Sequence, residues 1–353
     1  NWESFGGINN GYGFNDRGKF NPVVGRSRFH AFFEFDNDQV VKIIEKLIWN
    51  FPGVNIFFII SGYLIFQSLE RNHPISFVKK RFKRIFPALT VCFILTVALL
   101  LHFGSLNARD IFSLDFVKWA FAQLTIFQFY NPDMVRDFGF SPPNGALWTI
   151  SVELQYYLFI AALWYLCLRK LSRKKQNMVL MFFFIISAIF NYAFHLFLKA
   201  DSLLYKLSFA FFLSYLYFFI AGAFVYINRV FFIPKFKDRA VYWLLLFIIV
   251  GVLLNFLQIK YSRYAFNWLS FGMLLLLTGL TFSLAFTRTR ISKSILKGND
   301  FSYGIYIYQM PILNVFFHLH FNTSFLQLLC SMGFCFLMGI ISWFTIEKKI
   351  LNR

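Results

Sequence analysis

The chain has 353 residues, of which 58% are apolar and only 14% charged, whereas a soluble domain carries about 25% charged residues. With 53 Phe and 17 Tyr to cover, a single aqueous core is excluded, because large aromatics need extensive burial that lipid supplies directly. The net charge of +19 raises the possibility of a nucleic-acid binder, but its distribution along the chain excludes that class and ties the excess to membrane topology.

Residues 1–50 are rich in Gly, Asn and charges and contain no spanning run, so they form a polar segment distinct from the helical domain 51–353. Nine mainly apolar runs follow, at 52–69, 85–103, 146–168, 178–198, 203–228, 240–257, 264–286, 301–319 and 325–346. Each has about the 18 residues needed to cross a hydrocarbon layer roughly 30 Å thick. The expected fold is therefore an all-α, polytopic transmembrane bundle. A shorter patch, Phe116 to Tyr130, carries Lys118 and Gln123 and reads as an interfacial or re-entrant helix. Cys92, Cys167, Cys330 and Cys335 lie inside apolar stretches without metal-ligand spacing, so they read as small core or lipid-facing residues and no metal is expected.

Orientation follows from Lys and Arg. Alternating from the loop 70–84, roughly two-thirds of the 35 basic residues collect on one side, in 70–84, 169–175, 229–239, 288–297 and 347–353. Most of the 16 acidic residues fall on the other. The positive-inside rule puts the basic side in the cytoplasm, where it also meets anionic lipid. Residues 1–50 then lie outside, and the expectation is that a first spanning helix precedes Asn1, giving ten helices. No repeat of fixed period is visible, which disfavours the inverted-repeat transporter architecture.

Four segments carry candidate chemistry. Gly53 and Ser61-Gly62 bring small residues into the first span, which serve close helix packing or a site. The cluster Lys79-Lys80-Arg81-Phe82-Lys83-Arg84 is a lipid-facing flank or a phosphate-binding group, and Pro87 fits the first turn of the next helix. In Asn144-Gly145-Ala146-Leu147-Trp148-Thr149-Ile150-Ser151-Val152-Glu153-Leu154-Gln155, a carboxylate sits about two turns into a span. An ionised carboxylate there costs several kcal/mol unless it faces a cavity or partner, and Trp148, Ser151 and Gln155 lie near enough along the helix to share its face. The alternative is a helix-to-helix hydrogen bond that only holds the bundle. In Phe301–Pro311, Pro311 can break the helix and free carbonyls toward a cavity, with Gln309 beside it.

In this order, FFIISGYLI at 57–65, KKRFKRIFP at 79–87, NGALWTISVELQYYL at 144–158 and FSYGIYIYQMP at 301–311 resemble the acyltransferase-3 family of membrane O-acyltransferases. The resemblance covers nearly the whole chain and implies a ten-helix, multi-pass protein of the bacterial inner (cytoplasmic) membrane. It implies transfer of an acyl group, typically acetyl, from cytoplasmic acyl-CoA (acetyl-CoA) to a hydroxyl of a cell-surface sugar or glycan such as lipopolysaccharide or capsule. Acyl-CoA is then a co-substrate rather than a resident cofactor, and the partners are donor, glycan acceptor and membrane lipid, with no nucleic acid. Carried over by motif, Lys80, Arg81 and Arg84 are assigned to the donor, and Glu153, with Ser151 and Trp148, to catalysis.

Two departures stand out. The family's catalytic histidine sits late in a first helix that this chain does not show, so it is expected upstream of Asn1; His30 lies in a polar loop and is a poor substitute. Gln309 stands where many relatives have histidine. Two rival readings remain: a transporter or flippase of a lipid-linked glycan without acyl chemistry, and a structural partner in envelope assembly.

Overall fold

The computed structural model describes residues 52–136, 138, 139, 142–199, 202–259, 265–289, 294, 296–320 and 325–351. The polar segment 1–50, with His30, lies outside the described residues. Among the described residues there is no strand, as expected where every backbone group in lipid must bond within its own helix.

All nine apolar runs are helical, with different ends. Helix α1 is Gly53–Arg71 and α2 is Pro74–His102. The basic cluster therefore forms the first turns of α2 instead of a loop. Pro74 occupies the first turn, where a missing N–H is harmless, so Pro87 ends up inside the helix and not at its start. At 29 residues, α2 is about 44 Å long, which lets its basic turns overhang the hydrocarbon layer.

The interfacial patch is the ten-residue helix α3, Leu114–Gln123, capped by Ser113 accepting from the Phe116 amide. Helices α4 (Trp148–Leu166) and α5 (Arg173–Phe197) follow. The run 203–228 is broken into α6 (Leu203–Phe209), a 3-10 turn at Phe212–Ser214 and α7 (Leu216–Ile227), and α8 (Arg229–Phe236) leaves α7 at 97°. Then come α9 (Ala240–Phe256), α10 (Trp268–Phe286), α11 (Ser302–His318) and α12 (Phe325–Ser342). The last helix widens into a π turn at Trp343–Glu347 before Lys348–Leu351.

Six of these helices are long and apolar enough to cross a membrane by themselves, or seven if the bent α7–α8 pair counts as one. The expectation of nine separate spans differs for a physical reason: hydropathy runs through breaks that only backbone geometry shows. The 17-residue helices α9 and α11 fall just short of a straight crossing.

The tightest pairing is α1 against α7. A Cβ on Gly62 would stand 1.9 Å from the Phe219 carbonyl oxygen, and one on Gly222 would stand 1.8 Å from that of Ile59. Two glycines thus let the backbones touch. Around this pair the core is aromatic, with Phe58 set edge-on to Tyr156 and stacked on Tyr215.

The basic ends gather at one pole. Glu70 at the end of α1 accepts from the Tyr226 hydroxyl and pairs with Arg229 at 3.2 Å and Arg173 at 3.8 Å. Arg84 pairs with Asp300 and Glu347. This agrees with the side assigned to those segments from charge.

Candidate active site

Glu153 is the sixth residue of α4 and is buried. Its Oε1 accepts from the Ser61 hydroxyl of α1 at 3.1 Å and from the Tyr157 hydroxyl, one turn further along α4, at 2.7 Å. Among the described residues no hydrogen bond reaches Oε2. A carboxylate needs partners once it leaves water, and here both fixed donors converge on one oxygen, leaving the other open.

Arg81 lies beside this group. Its guanidinium carbon is 5.8 Å from the ring centroids of both Phe77 and Tyr157, within cation–π range. It is close enough to Glu153 to interact electrostatically with it, and its buried Nε has no hydrogen-bond partner. Arg84, one turn on, is committed differently. Nη2 binds Asp300 at 2.7 Å and Nη1 binds Glu347 at 2.9 Å, and the guanidinium lies over Tyr303 and Trp343. Lys80 is exposed and donates to the Asn72 side chain.

The shared polar face expected on α4 does not form. Ser151 donates to the Ile126 carbonyl beyond α3. Trp148 packs on Phe58 and Tyr215. Gln155 donates to the Ala210 carbonyl and accepts from the Phe212 amide, tying α4 to the break before α7. Residues three or four apart point in similar but not identical directions, and the neighbours decide each one. Thus Glu153 draws its donors from Ser61 and Tyr157. Tyr157 was legible as the i+4 neighbour of a buried carboxylate; Ser61 stood in a segment read mainly as packing, and it does both.

The α11 segment meets the start of α4. Tyr306 donates to the Ala146 carbonyl at 2.9 Å and shares a 2.5 Å contact with the Thr149 hydroxyl, while Asn314 donates to the carbonyls of Pro142 and Pro143. Pro311 does not break α11. It does remove the N–H that would bond Ile307, four residues back. That freed carbonyl accepts from Asn144 at 2.8 Å and from the Cys92 thiol at 3.2 Å. Cys92 is therefore more than a core filler, and Asn144 is a polar anchor not assigned from sequence; the i−4 offset from Pro311 was its signal. Gln309 is half-buried and makes no hydrogen bond among the described residues. Of the described histidines, His73 and His102 flank α2, His195 contacts the Tyr205 hydroxyl and His318 ends α11.

So the four segments picked out in sequence converge: α1 and α4 on Glu153, α2 beside it through Arg81, and α11 against the α4 entrance. Comparison with known proteins covers most of the chain. A family model described as an acyltransferase domain matches residues 23–346. The O-acetyl transferase of Shigella phage Sf6 is 26% identical over 304 residues, covering 85% of each chain. Nodulation protein 10 of Rhizobium leguminosarum bv. viciae is 38% identical over 127 residues, 34% of this chain and 35% of that protein. The peptidoglycan O-acetyltransferase OatA of Listeria monocytogenes is 30% identical over 115 residues, 31% of this chain and 18% of that one. No solved structure matches at a significant level.

Proposed function

The chain belongs to the acyltransferase-3 family and is an O-acyltransferase enzyme, and from that premise we propose that it moves an acetyl group from acetyl-CoA at its basic pole to a hydroxyl of a cell-surface glycan. The observation that carries this reading is the Glu153 carboxylate, held through Oε1 by Ser61 and Tyr157 with Oε2 open, beside an arginine whose Nε lacks a partner.

In such a transfer the acceptor oxygen bonds to the thioester carbonyl carbon, the C–S bond breaks, coenzyme A leaves as its thiol, and the hydroxyl proton passes to a base. A sugar hydroxyl is a weak nucleophile near neutral pH, so proton removal must accompany attack. Glu153 Oε2 accepts the hydrogen bond that orients the proton-bearing partner, either the hydroxyl or an imidazole that deprotonates it. Arg81 and Lys80 meet phosphate oxygens of the donor. Arg84, held by Asp300 and Glu347, fixes the frame around them, which moves it from donor ligand to support. The relatives' names lend support on the acceptor side: one acts on peptidoglycan and another transfers O-acetyl groups. The α2 overhang at the basic pole suits delivery of an anionic donor from the cytoplasmic face of a bacterial inner membrane.

The test uses the full chain in lipid nanodiscs with acetyl-CoA and sugar acceptors, following free thiol and ester together. Glu153→Gln keeps the shape and the Oε1 contacts but puts an amide nitrogen at Oε2. It is expected to slow transfer by about 10²–10⁴-fold with insertion and melting unchanged. Undiminished turnover in that variant would falsify the role. A wild-type chain that carries a glycan across the bilayer without releasing thiol would leave the transporter reading instead.

A further inference from the structure

Helix α8 (Arg229–Phe236) takes no part in the acyl-transfer site, and its two sides are built differently. α7 runs beside α1 to the basic pole, with Phe219 against Gly62 and Tyr226 against Glu70, and α8 then leaves it at 97°. At the far end of α8, Phe236 sets its ring edge-on to Trp243 in the first turn of α9. Eight helical residues span only about 12 Å, too little to cross a hydrocarbon layer. Both ends of α8 therefore stay at the basic pole, and the helix lies across the axis of α7 like a foot.

One side of the foot is packed. Phe232 stacks on Phe236, Phe236 stacks on Phe282 of α10, and Ser283 donates to the Phe236 carbonyl at 2.9 Å. Arg229 holds the elbow by pairing with Glu70 at 3.2 Å. The opposite side is apolar as well, yet no protein covers it: Val230 is 87% exposed, Phe231 is 58% exposed, and Pro234 is exposed with them. At about 100° per residue, these three share one arc of the helix. Lys235 closes its edge, with Nζ 3.5 Å from the centroid of the Phe231 ring.

The backbone sets the depth. A helix this short leaves most of its terminal N–H and C=O groups without intrahelical partners, and Pro234 has no N–H to give the Val230 carbonyl four residues back. Hydrocarbon does not tolerate such groups. So α8 belongs at the level of headgroups and water, with only its apolar arc reaching below.

The charge around it has one sign. Residues 229–239 hold four basic side chains and one acidic. Lys235, Lys237 and Arg239 are exposed, and none of them pairs with a carboxylate among the described residues. A short apolar arc edged by uncommitted cations is complementary to an anionic lipid surface.

We propose that α8 is an in-plane anchor for anionic phospholipid of the leaflet at the basic pole. Val230, Phe231 and Pro234 enter the acyl-chain boundary, and Lys235, Lys237 and Arg239 meet lipid phosphates. Because Arg229 ties α8 to the end of α1, the lipid braces the elbow between them. This seating holds whether or not the chain transfers acyl groups.

The full chain is placed in nanodiscs of phosphatidylcholine alone or mixed with phosphatidylglycerol, and amide hydrogen exchange is followed in the 229–239 peptide. Phosphatidylglycerol is expected to slow exchange there by roughly tenfold, and by less at high salt. Lys235→Gln, Lys237→Gln and Arg239→Gln together remove the slowing and leave the melting temperature in phosphatidylcholine unchanged. A control triple at exposed cations of the same pole, Lys170→Gln, Lys174→Gln and Lys175→Gln, keeps it. Slowing that survives the α8 triple, or that both triples lose alike, overturns α8 as the lipid site. Equal slowing by soluble glycerol phosphate in phosphatidylcholine discs assigns the cations to a free phosphate and overturns the anchor. Exchange that stays fast in both lipids leaves the face to another occupant and overturns it too.

Discussion

Glu153 and Glu347 are both buried glutamates beside an arginine of α2, and they are built in opposite ways. Glu347 sits in the π turn of the last helix with both oxygens occupied: Oε1 accepts from Ser342 at 2.9 Å and Oε2 from Arg84 at 2.9 Å. Glu153 takes both of its hydrogen bonds on one oxygen. The arginines mirror this difference. Arg84 has two carboxylate partners, whereas Arg81 rests between two aromatic rings with Nε unpaired. A fully paired carboxylate fixes helices in place, whereas Glu153 keeps one oxygen open beside an arginine whose Nε has no hydrogen-bond partner. The first region is a clamp between α2, the start of α11 and the end of α12; the second is the proposed reaction site.

The sharpest way to break this contrast is to make the same change in both. Glu153→Gln is expected to remove 10²–10⁴ of the transfer rate with little change in melting, and Glu347→Gln to do the reverse, lowering thermal stability while the protein that survives turns over. If both variants lose only stability, the distinction is void.

Next in size is Arg84→Ala. It strands the Glu347 carboxylate, and breaking a buried pair from one side costs on the order of 3–5 kcal/mol. Arg84→Met combined with Glu347→Leu should recover most of that, because an apolar pair of similar volume is often neutral. Chemical unfolding in detergent measures both, and a double variant as weak as the single one would show that the clamp does more than hold helices.

A smaller effect is expected from Gly62→Ala. Its Cβ would stand 1.9 Å from a backbone oxygen that cannot rotate away, so α1 and α7 must separate, at about 1–3 kcal/mol. Because Ser61 moves with α1, the acyl-transfer rate should fall along with stability; a stable, fully active variant would show that the Ser61–Glu153 bond does not matter.

The smallest predicted change is Arg81→Lys. The charge stays but the fork is lost, and acetyl-CoA KM is expected to rise about tenfold with acceptor KM constant. A change confined to the acceptor side would place Arg81 in the wrong half of the reaction.

Much of this was legible in the sequence. The helical membrane domain, the gathering of basic segments at one pole, and the four segments that meet around Glu153 and the α4 entrance stand out from run length, Lys and Arg placement, and single polar residues in apolar stretches. The places where the structure adds to the sequence reading share a cause. Trp148, Ser151 and Gln155 were grouped with Glu153 by spacing alone, yet each turns to a different neighbour. Arg84 is assigned to the donor by motif, and nothing in its own segment says that Asp300 and Glu347 come to it. The run 203–228 looked like one span because Phe and Leu continue through its breaks.

Sequence alone determined that this chain is a bundle of lipid-embedded helices and which ends carry the charge, because hydropathy and charge are local properties that act on each segment before any packing. The tertiary structure alone decided which polar groups meet. Ser61 and Glu153 are 92 residues apart, and Arg84 and Glu347 are 263 apart. Those pairings depend on the rotation of each helix about its axis and on which helices become neighbours, and no local pattern along the chain encodes either.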